Sequence, residues 1–303
     1  MYTPEQLELF RKAGNIAAMA RAFGAKLIKE GADVIEVLEK VDEFILKKGG
    51  KPAFPAQMAF DEVAAHHAPR RADKITVKDG NLINLDLGVE MDGYVADNAV
   101  CIDVGNNHKE LCNASRDALR AAIKLMGPGV KCREIGKEIE EIITGAGFKP
   151  IRNLAGHAVG RYIIHAPPSI PNYDNRDETE LKPGMVLACE PFATDGFGLI
   201  HETGIPGIYM LREKKPVRGQ ITREVLKEIE KYNGLPFALR NLDRVLPPAK
   251  INYAIRELMN IEALKSFGPL VEKGKGLVSQ WENTMIITED GCEVTTKCDD
   301  DVF

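Results

Sequence analysis

NLINLDLGVEMDGYVADNAVCIDV, residues 81–104, alternates apolar and polar positions on either side of an Asp92-Gly93 pair, the pattern of a β-hairpin. Ile83, Leu85, Leu87 and Val89 point one way, which puts Asn84, Asp86 and Gly88 on the other face. If Asp92-Gly93 is a two-residue turn, residue 88 sits opposite 97, and Asp86 and Asp97 are diagonal neighbours on one face, roughly 7–8 Å apart. A four-residue turn would set them directly opposite each other, again on one face. Either register aims two carboxylates at one point. Like charges that close repel unless a cation lies between them, and oxygen ligands suit hard or borderline divalent metals. The alternative is a pair of unrelated carboxylates solvated on an exposed sheet face.

Upstream, Leu7, Phe10, Ala13, Ile16 and Ala17 form a helical apolar stripe over residues 4–21, with Thr3 placed as N-cap before Pro4. Val34, Val37, Leu38, Val41 and Ile45 predict a second helix over 33–47, closed by Gly49-Gly50. FPAQMAFDEVAAHHAP follows, with EVAA read as helical and the pair His66-His67 at its end, then a turn at Lys78-Asp79-Gly80. Beyond the hairpin, helices are expected near 108–126 and 132–145, with Gly127-Pro128-Gly129 between them. KPGMVLACEPF reads as a turn and strand, and LVSQWENTMIITEDGCEVTT as a second hairpin turning at Asp290-Gly291. Between these, residues 207–270 are rich in Lys, Arg and Glu and carry helical spacing through Val225, Ile229 and Tyr232 and through Ile255, Leu258, Ile261 and Leu264. They read as a helical insertion in an α/β body, so the expected organisation is a main body of 1–206 and 271–303 interrupted by 207–270.

Hydrophobic residues make up 44% of the 303-residue chain and charged residues 28%, enough to bury a large core and still spare polar groups for an interior site. The formal charge of −5, with no basic stripe, argues against a general nucleic-acid binder. No window approaches the roughly 18 uninterrupted apolar residues of a membrane span. MYTPEQLELFRKAGN is polar and acidic from the start, unlike a secretory signal or a transit peptide. Cys101, Cys112, Cys132, Cys189, Cys292 and Cys298 are scattered without a C-x-x-C pair, which reads as buried or idle thiols in a reducing cytoplasm.

His157 lies in NLAGHAVGRYIIHAPPSIPN, after a glycine and eight residues before His165. A lone histidine is usually structural; the second histidine, the clustered glycines and the Pro167-Pro168 break shift the reading towards a site. Glu190 ends the apolar strand MVLACE immediately before Pro191. A carboxylate there is costly if buried without a partner, so it sits either at a surface strand end or paired in a site. Glu282 is embedded among Leu277, Val278, Trp281, Met285 and Ile286, which predict burial, and a metal would settle its charge.

Taken in order, Asp86, Asp97 eleven residues later, His157 after Gly, Glu190 before Pro and Glu282 in a late hairpin resemble the ligand series of the pita-bread metallopeptidases. That family comprises methionine aminopeptidases, prolidases and related enzymes. The matching stretches are KPAFPAQMAFDEVAAHHAP, LDLGVEMDGYVADNAV, AGHAVGRYIIHAPPSIPN, MVLACEPFATDGFGLIHETG and VSQWENT, which spread over most of the chain. The resemblance implies an α+β architecture, a curved and mostly antiparallel sheet flanked by helices. Three features resemble the type 2 methionine aminopeptidases: the insertion between Glu190 and Glu282, the AFP…EVAAHHAP segment with His66 in the place of an active-site histidine, and LPFALRNL (235–242), similar to a segment bordering the substrate pocket. The absence of a long charged N-terminal extension is similar to the archaeal form.

What the resemblance implies is specific. Asp86 would chelate one divalent ion, Asp97 and Glu282 would bridge two, and His157 and Glu190 would complete the second ion's shell. Cobalt, manganese, iron or zinc would suit the mixed oxygen and nitrogen donors. Glu190 would shuttle the proton, with His66 and His165 contacting the scissile amide. Phe54, Ile164, His201 and Pro236, together with the two histidines, would bind the methionine end of the substrate. The implied substrates are nascent polypeptide N-termini with a small second residue, met in the cytoplasm near the ribosome by a monomer with no membrane or specific nucleic-acid partner. This sequence departs from the family at Asn98, where Thr is usual, at Asn283, where His is common, at Met58 and Ala59, where polar residues are common, and at Phe267, where Tyr is often seen. None removes a ligand, though groups around the ligands tune metal affinity by about 10–100-fold. The alternatives are a prolidase or X-Pro aminopeptidase on the same fold and a non-catalytic interaction or RNA-binding relative. The type 2-like insertion and the Phe54 segment argue against the first, and the intact ligand set against the second.

Overall fold

The computed structural model describes residues 2–297, which leaves Cys298 outside it. Strands Leu82–Met91 and Tyr94–Asp103 form the hairpin in the two-residue register: Met91 lies opposite Tyr94 and Gly88 opposite Asp97. Asp92 and Gly93 both take positive φ, 51° and 89°, as the turn that matches the strands' right-handed twist requires. Lys51–Phe60 pairs along the other edge of Leu82–Met91 and completes a three-stranded antiparallel sheet.

The apolar face of that sheet is covered by the two N-terminal helices. Ile83, Leu85, Leu87 and Val89 are buried with Ala13, Ile16 and Ala17 of helix Pro4–Leu27 and Val37, Leu38, Val41 and Ile45 of helix Val34–Lys47. Thr3 and Gln6 form a reciprocal cap at the first helix, and Asp33 caps the second. The first helix runs past the expected end at residue 21. Its close-packed stripe continues through Gly24, where an added Cβ would lie 2.7 Å from Leu85 Cδ2.

A five-stranded antiparallel sheet makes the second half, in the order Cys292–Val294, Asn283–Ile287, Val186–Cys189, Ala155–Gly160, Ile163–Pro171. Helices Lys109–Leu125 and Cys132–Gly145 pack on it around Leu187, Met285 and Ile287. The two halves meet at Ala99 and Glu282, whose backbones exchange N–H···O bonds of 3.1 and 3.3 Å. That junction sets the acidic face of the first hairpin beside the late strand, giving the curved sheet of a pita-bread fold.

Three expectations change. EVAA is not helical: Val63–Ala65 is a strand that pairs with Leu270–Glu272, a partner two hundred residues downstream that local spacing does not reveal. Residues 207–270 are not helical throughout. Helices Gln220–Ile229 and Pro248–Asn260 share a separate apolar cluster with a small sheet of Ile208–Leu211, Phe237–Ala238 and Leu264–Phe267, so Leu264 lies in a strand. Finally, Cys101 and Cys112 are not idle thiols but a disulfide, their Cα atoms 5.8 Å apart where the hairpin's end meets the next helix. No helix among the described residues is long and apolar enough to cross a membrane.

Candidate metal centre

The acidic face of the hairpin is the floor of the site. Strand parity places Asp86 and Asp97 on it, and Gly88 between them lacks a side chain where Phe54 of the neighbouring strand lies. A Cβ at residue 88 would come within 2.2 Å of that ring. Asp97 is anchored from outside the hairpin: its N–H donates to Thr284 Oγ1, and the same hydroxyl donates to the Asp97 carbonyl, both at 2.8 Å.

His157, Glu190 and Glu282 arrive from three segments of the second half. His157 Nε2 lies 3.9 Å from Asp97 Oδ2 and 3.5 Å from Glu190 Oε1. Donor atoms of Asp97, His157 and Glu282 all fall within 4.8 Å of one another. Gln280 Nε2 donates to Glu190 Oε2 at 3.3 Å and Glu282 Oε2 at 3.5 Å, tying two of the carboxylates together. Asp86 Oδ1, Asp97 Oδ1 and Glu282 Oε1 are buried and without a hydrogen-bond partner among the described residues.

The electrostatics follow from this crowding. Burial pushes the Asp86 carboxyl up to about 7. Asp97 rises well above the usual range through burial and then the charges of Asp86 and Glu190. Glu190 rises through burial and Asp86, opposed by the Gln280 hydrogen bond, and Glu282 through burial and then Asp97, Glu190 and Asp86. Burial and the facing His165 pull His157 down to about 3, so it is a neutral nitrogen donor at physiological pH. Four converging carboxylates, three of them with an unpaired buried oxygen, and one neutral imidazole form a donor set that fits divalent cations and is costly without them.

A cavity of about 260 Å³ opens over these groups. Its wall carries His66, His165, Phe54, Ile164 and Pro236. His165 stacks edge-on to His157 with ring centroids 4.4 Å apart, and His66 meets Phe267 in the same manner at 5.5 Å. His66 takes a φ of +62°, a left-handed conformation that a non-glycine residue holds only where its surroundings impose it. Its neighbour His67 bonds through Nδ1 to the Met58 carbonyl, away from this cavity. Burial, then the facing His165, pulls His66 down to about 4. His201 is not brought in: on strand Ile200–Glu202 the buried side is Ile200, so His201 points to solvent and does not line the cavity.

Residues outside the sequence expectation also belong to the site. Gln57 is buried in the cavity wall because Lys51–Phe60 sets it opposite Asp86, a register no local pattern discloses. Gln280 was accessible in principle, since it precedes Glu282 by two residues and two residues is the same-face repeat of an extended segment.

This donor set fits the metal centre of a metallopeptidase, and the chain belongs to metallopeptidase family M24, whose model matches residues 8–289. Within that family its similarity runs to named methionine aminopeptidases. The one from Archaeoglobus fulgidus is 44% identical over 97% of this chain and 99% of its own length, and that from Thermococcus onnurineus is 42% identical over 96% and 100%. The crystal structure of the Thermotoga maritima methionine aminopeptidase superposes with a TM-score of 0.72 at 26% identity, covering 98% of both chains.

Proposed function

We propose that this protein removes the N-terminal methionine from polypeptides whose second residue is small, using two divalent ions held by Asp86, Asp97, His157, Glu190 and Glu282. In this reading Asp86, Asp97, His157, Glu190 and Glu282 would hold the ions, the carboxylates supplying oxygen donors and His157 a neutral nitrogen donor. Bound cations there supply Lewis acidity, lowering the pKa of water and polarising the scissile carbonyl. Manganese, iron, cobalt and zinc all suit such mixed donors, and availability in the cell selects among them.

The protein's own groups do the rest. Glu190, held by the Gln280 amide, accepts a proton from the attacking water and delivers it to the leaving amine. His66 and His165 face the cavity as neutral imidazoles and hydrogen-bond the scissile amide and the oxyanion that develops from its carbonyl. The methionine side chain packs among Phe54, Ile164 and Pro236. We read 207–270 as an insertion because its apolar cluster is its own. Its Pro236 and Phe267 reach the cavity, so it helps shape the substrate site. The reaction is assigned to nascent chains in the cytoplasm.

The observation that carries this reading is that four carboxylates and one neutral imidazole line one small cavity together with His66, His165, Phe54, Ile164 and Pro236. Its test is hydrolysis of Met-Ala-Ser and Ala-Pro peptides by chelator-stripped protein, with each metal added back in turn. Metal-dependent release of methionine is expected. A preference for proline in the second position would overturn the assignment.

A further inference from the structure

We propose that a groove adjoining the catalytic cavity binds residues three to five of the substrate polypeptide as an extended, apolar segment. The proposal rests on the aminopeptidase reading above. The catalytic cavity, about 260 Å³, has room for one methionine and little else, so the rest of a polypeptide must lie elsewhere. Beside it runs a groove of about 700 Å³, and His66 lines both. Because His66 is the group placed against the scissile amide, the chain leaving that amide enters this groove first.

The groove's lining is mixed: Arg70, Asp73 and Arg256 stand in it, Arg70 donating to Asp73 and Asp243, beside an apolar stretch that is the part proposed to take the segment. Ile205, Tyr209, Ile255, Met259 and Pro269 contribute to its wall. Asn252, Ile255 and Met259 recur at helical spacing, so helix Pro248–Asn260 turns one face to the groove. From residue 252 to 259 that face spans roughly 10 Å at 1.5 Å per residue. An extended peptide covers this length with about three residues. Ile205 stands at the wall 89% exposed. A single exposed isoleucine is ordinary on a protein surface, but this one lies where the substrate's continuation passes.

A different cavity, of about 250 Å³, also touches the catalytic one, through Phe54 and Pro236. Those residues wall the methionine side chain rather than the amide, and the space behind them is ringed by Lys51, Glu90, Lys231 and Arg244. In this reading it lies on the methionine side of the substrate, away from the departing chain.

The test uses the metal-loaded full chain and three substrates: Met-Ala, Met-Ala-Gly-Gly-Gly-Ser and Met-Ala-Leu-Val-Leu-Ser. Burial of two or three apolar side chains predicts a kcat/KM about tenfold higher for the leucine-valine hexapeptide than for the glycine one, expressed in KM. The double variant I205E/M259E is expected to erase that advantage and leave Met-Ala turnover unchanged. I205E alone, at an exposed position that no fold contact depends on, is expected to remove part of it. Equal kcat/KM for the two hexapeptides, or variants that weaken Met-Ala and the apolar hexapeptide alike, would overturn the groove. A wild-type protein that cleaves none of the three, Met-Ala included, would instead overturn the aminopeptidase reading and remove the basis for the groove.

Discussion

Thr284 satisfies both backbone groups of Asp97 with one hydroxyl, accepting from its N–H and donating to its carbonyl at 2.8 Å each. Asp97 thus enters the site from a backbone held on a side where its own hairpin offers no partner. Replacing Thr284 by Val keeps the volume but leaves two buried polar groups unpaired, at about 1–3 kcal/mol for each. We expect T284V to lower the unfolding free energy in denaturant titrations and to weaken metal binding about 10–100-fold in calorimetry. T284S should restore both. Metal affinity unchanged in T284V would show that this hydroxyl does not position Asp97.

The proposal gives the proton shuttle to Glu190, which Gln280 restrains and which lies 3.5 Å from His157 Nε2. E190Q keeps its shape while removing the base. The expected outcome is a fall in kcat of about 10²–10⁴. Elemental analysis of the same variant separates a lost base from a lost ligand. Retention of wild-type kcat would remove Glu190 from the proton path.

The pH dependence of stability has a definite sign. Asp86 titrates near 7 in the folded chain against 3.8 when unfolded. Its contribution to the metal-free protein is therefore present below pH 3.8 and lost as pH rises through about 7. His66, pulled down from 6.5 to about 4, acts oppositely and only below 6.5. Above 6.5 the histidines no longer oppose the carboxylates, and the buried thiols Cys132 and Cys292, pushed up by burial, act in the carboxylates' direction, so Tm of chelator-treated protein should fall with rising pH. The increment in Tm on adding Mn²⁺ should grow over the same range, because the ion binds the ionised form. Calorimetric scans at several pH values decide it; a metal increment that shrinks with pH would contradict the assignment of these carboxylates.

Gly88 is a packing requirement of the site rather than of the turn. A Cβ there meets the Phe54 ring at 2.2 Å, and Phe54 forms part of the cavity wall. G88A should destabilise the protein by about 1–3 kcal/mol through overpacking. By moving the ring it should also raise KM for methionyl peptides more than it changes kcat. Steady-state kinetics with a Met-Ala-Ser series is the check, and an unchanged KM would place Phe54 outside the methionine pocket.

Much of the site was legible because its residues sit on regular elements whose periodicity is local. Strand parity alone put Asp86 and Asp97 on one face in either turn register, and the structure selects the two-residue turn at Asp92-Gly93. His157, Glu190 and Glu282 were expected from the family resemblance in order and context, and the fold brings His157 and Glu282 together with Asp97. Gln57 escaped because its position depends on pairing with a strand some thirty residues away. His201 was misplaced because a three-residue strand carries too little pattern to say which side faces the cavity. The Cys101–Cys112 disulfide depends on where a helix returns to the hairpin, which residue spacing does not encode.

By itself, then, the sequence determined the hairpin, its apolar face and the shared face of its two aspartates, because each depends on alternation within a few residues. Only the tertiary structure decided how those aspartates meet the remaining donors. The bridge from Ala99 to Glu282 joins segments nearly two hundred residues apart. Across it come Thr284 to hold Asp97, Gln280 to tie two carboxylates together, and the neighbouring imidazole of His165 that helps keep His157 neutral. These depend on burial and on distances between chain segments, which side-chain periodicity does not specify.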